Sequence, residues 1–216
     1  DKMEQGNGDI LYGSKAENFT GMAKFGWQIN DDNAIKINVR DASNDGHPPA
    51  VGSSAPQLNA PDKLIDRKVS DQHISLGYQF NPEHQAINLD SKLYQNNTRI
   101  EETNLSSGND ISEIETTGFS ITNQTQQGQL NLLSGIDGYQ DDLTTARPDI
   151  GNGRPKPPSN ATTTNMGAFL FGDYPVIERV TVEAGISYDS FGSEAQGFAD
   201  SDASAVSPAA GVRWQA

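Results

Sequence analysis

A period-two alternation of apolar and polar side chains runs through most of this chain, and it admits strands and little else. In ERVTVEAGISYDSF, Val180, Val182, Ala184, Ile186 and Tyr188 alternate with Thr181, Glu183, Gly185, Ser187 and Asp189. Successive side chains of a strand point to opposite sides, so such a segment has one apolar and one polar face. The same pattern sets Phe19, Gly21, Ala23, Phe25, Trp27 and Ile29 against Thr20, Met22, Lys24, Gly26 and Gln28. After NDDN (Asn30–Asn33) it resumes with Ile35, Ile37 and Val39 opposite Lys36, Asn38 and Arg40, which predicts a hairpin with a very short turn. Further hairpins are expected around NPEHQ (Asn81–Gln85), TQQGQ (Thr125–Gln129) and YPVIER (Tyr174–Arg179).

Between these hairpins lie stretches rich in Gly, Pro, Ser, Asn and Asp, near 41–72, 99–115, 141–164 and 192–207, which read as long loops. Short and long connections therefore alternate along the chain. A soluble sandwich has no reason to distinguish its two ends so regularly, whereas an outer-membrane barrel has short periplasmic turns and long extracellular loops. Composition agrees: with only 34% hydrophobic residues and a net charge of -14, the apolar residues must be used sparingly. No run approaches the roughly 18 apolar residues of a membrane helix, but a transmembrane strand needs only about 9 to 11 residues and hides its apolar content by alternation. The expected fold is all-β, an antiparallel transmembrane β-barrel segment of about nine or ten strands. Its apolar rows would meet lipid and its polar rows a wet lumen. The alternative is a secreted β-sandwich, an adhesin or sugar-binding module, in which the apolar rows would face one another.

Several functions are excluded. The 29 acidic against 15 basic residues repel phosphate backbones, so no nucleic-acid partner is expected. There is no cysteine for a thiol nucleophile, and no GxSxG elbow, so the chain is not expected to be an enzyme. Three histidines are the natural haem or metal candidates. His47 is expected on a long extracellular loop, His73 at the start of a strand near the outer rim, and His84 in a short turn on the other side, so no common ion can be shared. DASNDG (Asp41–Gly46) begins like a calcium loop, but its twelfth position would be Gly52 where a bidentate Glu is required. RPKPPSN (Arg154–Asn160) reads as a stiff loop tip able to touch a ligand, which makes Arg154 and Lys156 candidates beside His47.

Several stretches resemble the barrel of TonB-dependent outer-membrane receptors, and among these the receptors that take up haem. They are LYQN (Leu93–Asn96), TTGFSITN (Thr116–Asn123), GISYDSF (Gly185–Phe191) and SPAAGVRW (Ser207–Trp214). The resemblance spans most of the chain and is weakest in the loops; Ser187 and Trp214 stand where relatives often carry Arg and Tyr. It implies an importer of an iron compound in a Gram-negative outer membrane: haem, from haemoglobin or another haem-carrying protein, or a siderophore in another receptor of the class. No cofactor is expected to reside in the segment, and haem is the expected cargo. The implied partners are outer-membrane lipid and lipopolysaccharide, and the TonB complex through an N-terminal region. On this resemblance residues 1–216 read as part of a barrel of about 22 strands, without the plug, the energy-coupling box or the haem-ligand loop.

Overall fold

In the computed structural model the described residues are 3–4, 6–9, 14, 16–48, 64–84, 86–105, 108–147 and 157–215. They form nine strands: β1 (Ala16–Asn30), β2 (Asn33–Gly46), β3 (Asp66–Phe80), β4 (Leu89–Leu105), β5 (Gly108–Gln127), β6 (Leu130–Ala146), β7 (Asn160–Ile177), β8 (Val180–Ala195) and β9 (Ser201–Trp214). All pair antiparallel with their chain neighbours in one sheet of order β1 to β9, and no helix among the described residues could span a membrane. The tight turns fall where the sequence places them, at Asp31–Asp32, Gly128–Gln129 and Glu178–Arg179. Gly128 adopts φ 62°, a left-handed conformation that suits a residue without Cβ.

Register carries the apolar residues of adjacent strands onto one face. Phe25 pairs with Ile37, Ile37 with Leu76 and Leu76 with Leu93. Leu93 pairs with Phe119, and further along Ile121 meets Ile136, Leu170 meets Ile186 and Val182 meets Val212. Phe25, Trp27, Ile37, Val39, Leu76, Tyr78, Val182 and Ile186 are exposed on this face, while Ile35, Leu89 and Val180 on the same row set are half-buried. Among the described residues only Ile65 is a buried apolar side chain, so there is no two-layer core. The sandwich alternative required these rows to pack on one another, and they do not.

The apolar belt does not run along the hydrogen-bonded rows. On β1 it covers Phe19 to Trp27, whose partners lie on β2 between Ser43 and Ile35; on β9 it covers Val206 to Trp214, paired with Tyr188 to Val180. Following the row of Trp27 through Ile35, Tyr78, Ser91, Ile121, Ile136, Ala168 and Tyr188 leads to Val206, the opposite border of the belt. A belt of constant height therefore crosses the rows obliquely, which means tilted strands, the condition for closing a barrel.

The long connections are shorter than expected. β4 and β5 continue through Arg99–Glu115 as a paired ribbon to Leu105 and Gly108, and β8 and β9 leave only residues 196–200 between them. Likewise β2 runs to Gly46 and β3 starts at Asp66, and β6 ends at Ala146 with β7 starting at Asn160. Beyond the belt both faces of a ribbon are wet, so the backbone still pairs while the apolar alternation that betrays a strand disappears. Phe191, an aromatic residue beside a long connection and so expected with Tyr188 in an outer aromatic girdle, instead pairs with Asn165 and Ala203 on the polar face.

β1 and β9 each keep one unpaired edge within this sheet, a template for aggregation. Expressed alone in detergent-free buffer, residues 1–216 should elute as aggregate in size-exclusion chromatography; a monodisperse, cooperatively unfolding monomer would contradict the barrel-wall reading. In the bilayer-inserted protein, Leu76→Arg should cost about 2–4 kcal/mol in unfolding measurements, the range for a basic residue placed in the lipid-facing midplane, while Gln28→Arg on the polar row should cost far less.

Candidate functional site: the concave wall and its loop-side rim

The polar rows share the inner face. A cavity of about 880 Å³ at the short-turn end is lined by residues of non-adjacent strands, including Gln124, Phe171, Glu183 and Arg213, which identifies the polar face as the concave one. Neighbouring side chains knit this wall together. Asn38 Nδ2 donates to Ser75 Oγ at 3.2 Å, Thr98 Oγ1 to Asp71 Oδ2 at 2.9 Å and Thr116 Oγ1 to Asp141 Oδ1 at 2.6 Å. Arg40 pairs with Asp71, and His73 Nδ1 with Asn96 Oδ1. His73 thus sits inside β3 on the lumen wall, opposite Arg40, and not at the start of a strand.

Charge on this wall is divided. By register, Lys24, Lys36, Arg40, Arg67 and Lys92 face the lumen from β1 to β4 together with Asp71, Asp90 and Glu102, whereas β6, β7 and β8 turn only acidic charges to it: Asp137, Asp141, Asp173, Glu183 and Asp189. A single hydrogen-bonded row reads Gly26, Lys36, Gly77, Lys92, Ser120, Asp137, Gly167, Asp189. The next row towards the loops reads Lys24, Asn38, Ser75, Tyr94, Gly118, Tyr139, Asn165, Phe191. A Cβ at Gly185 would overlap the Phe171 ring as far as its Cγ, and one at Gly118 would meet the hydroxyl end of Tyr94, each ring lying across from the neighbouring strand.

At the loop-side rim, Arg67 donates through Nε to Glu102 Oε1 at 2.7 Å, and Arg147 Nε stands 3.4 Å from Oδ2 of the buried Asp110. On the convex side above the belt, Arg99 Nε donates to Glu101 at 2.7 Å and its Nη1 to Glu113 at 3.0 Å. Asn97 Nδ2 also donates to Glu113, at 2.8 Å, and holds its carboxyl below the ordinary range with help from Arg99. Gln140 and Thr162 do the same for Asp142. The Glu101 hydrogen bond raises the Arg99 guanidinium further.

His47 follows β2 directly, and its Nδ1 bonds Asp66. The small pocket around it, about 300 Å³, is lined by Glu17, Asp45, Lys68, Glu101 and Thr103 of the convex rows and by Gly46 and Arg67 of the lumen rows. His84 lies in the β3–β4 turn, its Nδ1 accepting from the Ala86 N–H at 3.2 Å. The three histidines occupy three different levels, and no group of His and acidic residues able to hold a metal occurs among the described residues. Arg154 and Lys156 lie outside the described residues. The paired lysines and the aromatic row were visible in the sequence only as inward parity; their alignment required the register of four hairpins.

The sequence profile described as TonB dependent receptor-like, beta-barrel, matches residues 5–216. The chain belongs to this family. It is therefore wall of a Gram-negative outer-membrane barrel, in a family of transporters rather than enzymes. "Heme/hemopexin utilization protein C" of Haemophilus influenzae is 23% identical over 254 residues, covering 98% of the chain and 35% of that protein. The FrpB iron transporter of Neisseria meningitidis (F3-3 variant) superposes with a TM-score of 0.80 at 19% identity, over 99% of the chain and 36% of the transporter. The copper transporter OprC gives 0.75 at 15% identity, over 100% and 36%. The chain thus spans about a third of the length of the proteins it matches.

Two outcomes test this geometry. Gly185→Ala should destabilise the full-length receptor by about 1–3 kcal/mol through overpacking, and Phe171→Ala in the same molecule should recover part of that loss in a double-mutant cycle. Glu113 and Asp142 have folded pKa values below their unfolded ones, so their contribution is complete above the unfolded pKa and lost as pH falls through the folded one. Hydrogen exchange at the β4–β5 rim should therefore quicken only below the ordinary carboxylate range, and Asn97→Ala should move that onset to higher pH.

Proposed function

We propose that the chain forms wall and vestibule of a TonB-dependent importer of an iron compound, and that the compound is haem. The observation that carries this reading is the alignment of 98% of the chain with a haem/hemopexin utilization protein. The divided, wet inner wall suits passage of a polar or amphipathic solute. In this reading residues 1–216 are one part of a longer barrel, whose remaining strands pair with the free edges of β1 and β9. The ligand arrives as haem or on a haem-carrying protein, and TonB acts through an N-terminal region. The apolar belt meets lipid and the ionic ribbon above it meets lipopolysaccharide. His47, Arg154 and Lys156 are auxiliary ligand contacts; His47 already engages Asp66.

A second reading is favoured by the superposition on iron and copper transporters at TM-scores of 0.80 and 0.75: a metal ion or a siderophore as cargo. Titration of the purified full-length receptor separates the two. Haem should bind, followed by its Soret shift, in preference to ferric siderophores and copper ions; the reverse order would overturn the haem reading. His47→Ala should weaken haem binding by less than about tenfold, roughly 1.4 kcal/mol. Abolition of binding by that substitution would make His47 a principal ligand instead.

A further inference from the structure

The unoccupied charge on the concave wall is lopsided. Lys24, Lys36 and Lys92 are exposed and make no ion pair among the described residues, whereas Arg40, Arg67 and Arg213 all do. Lys36 and Lys92 share one row with only Gly77 between them, so their stems rise from the wall at about 9–10 Å, two strand spacings. Lys24 is diagonal to Lys36 from β1, one row nearer the loops. Gly26 and Gly77 keep the wall low around them, and nothing lies within 4 Å of where a Cβ of Gly26 would be. In the adjoining row Tyr94 lies across Gly118 towards Tyr139, and Lys92 Nζ stands 5.3 Å from the Tyr94 ring centroid. Asp90, on the same face of β4 two residues from Lys92, accepts from Gln79 Nε2 at 2.8 Å, and the acidic half of the wall begins two strands beyond Lys92 in the same row, where Asp137 and, further on, Asp189 both aim at Gly167. An anionic solute is repelled from that half and drawn to the lysine half.

We propose that Lys36 and Lys92, assisted by Lys24, form a carboxylate-binding station on the inner wall, where the acid groups of a planar ligand rest while its ring lies against Tyr94 and Tyr139. This rests on the haem reading, since haem is a planar macrocycle with two carboxylates. Ammonium groups on flexible stems fit a cargo that must bind and leave: each is a compact charge with three donors and no rigid fork. The adjoining tyrosines supply sequence-tolerant stacking for the ring.

The test is the initial rate of uptake in cells that produce the full-length receptor, with iron-labelled haem and its dimethyl ester as probes, each referred to surface binding in de-energised cells. The double variant Lys36→Gln/Lys92→Gln should keep surface binding of haem within about twofold and lose at least fivefold in uptake rate. Uptake of the dimethyl ester, relative to its own surface binding, should change by less than twofold. Lys36→Arg/Lys92→Arg, which keeps the charge, should restore most haem uptake. Unchanged haem uptake in the Gln variant overturns the station, and so does an equal loss for both probes, which would mean that the lysines hold another part of the receptor. A wild-type receptor that takes up neither porphyrin overturns the haem reading itself, and this inference with it.

Discussion

Every backbone N–H and C=O in a membrane-crossing sheet must find a partner in the sheet, because lipid offers none. The ladder from β1 to β9 meets that demand for all interior strands. Everything else in the molecule follows from it. Side chains are freed from the work of building a core, and each strand can devote one row to lipid and the other to the lumen. That is why a chain with 34% hydrophobic residues folds with a single buried apolar side chain among those described.

The same ladder turns isolated residues into surfaces. Lys36 and Lys92 are 56 residues apart in the chain and two strands apart in space, joined by the row that passes through Gly77. Tyr94, Gly118 and Tyr139 become one aromatic strip in the same way. Small residues in these rows decide how the wall is contoured: where Gly118 or Gly185 lacks a side chain, an aromatic ring from the next strand lies flat, and the lumen stays wide. An electrostatic division then arises, mixed on β1 to β4, where Lys24, Lys36 and Lys92 stand beside Asp71 and Asp90, and wholly acidic on β6 to β8.

Above the belt the physics changes. With water on both faces the ribbons of β4–β5 and β8–β9 no longer need apolar rows; Arg99 with Glu113 ties β4 to β5, and Arg67 with Glu102 ties β3 to β4. Exposed pairs of this kind contribute little singly, so the stiffness of the rim comes from backbone pairing with the side chains setting its charge. His47 belongs to this region and is engaged by Asp66 on the convex side, whereas His73, deep in β3, looks into the lumen.

Period-two alternation by itself determined the fold class, the hairpin turns and which residues face lipid, because each of these depends on neighbours in the chain: Val180 to Tyr188 needs no partner strand to show its two faces. It failed where alternation ends for a physical reason, at the wet ribbons 99–115 and 192–207, which look like loops to any reading based on apolar period. It also misplaced Phe191 and His73, whose setting depends on strand boundaries and parity at the rim. Only the tertiary structure decided which polar residues stand together. Register is set by pairing across up to 40 or more intervening residues, as between Ile35 and Tyr78, and the lysine pair, the aromatic strip and the acidic half exist only once that pairing aligns the rows.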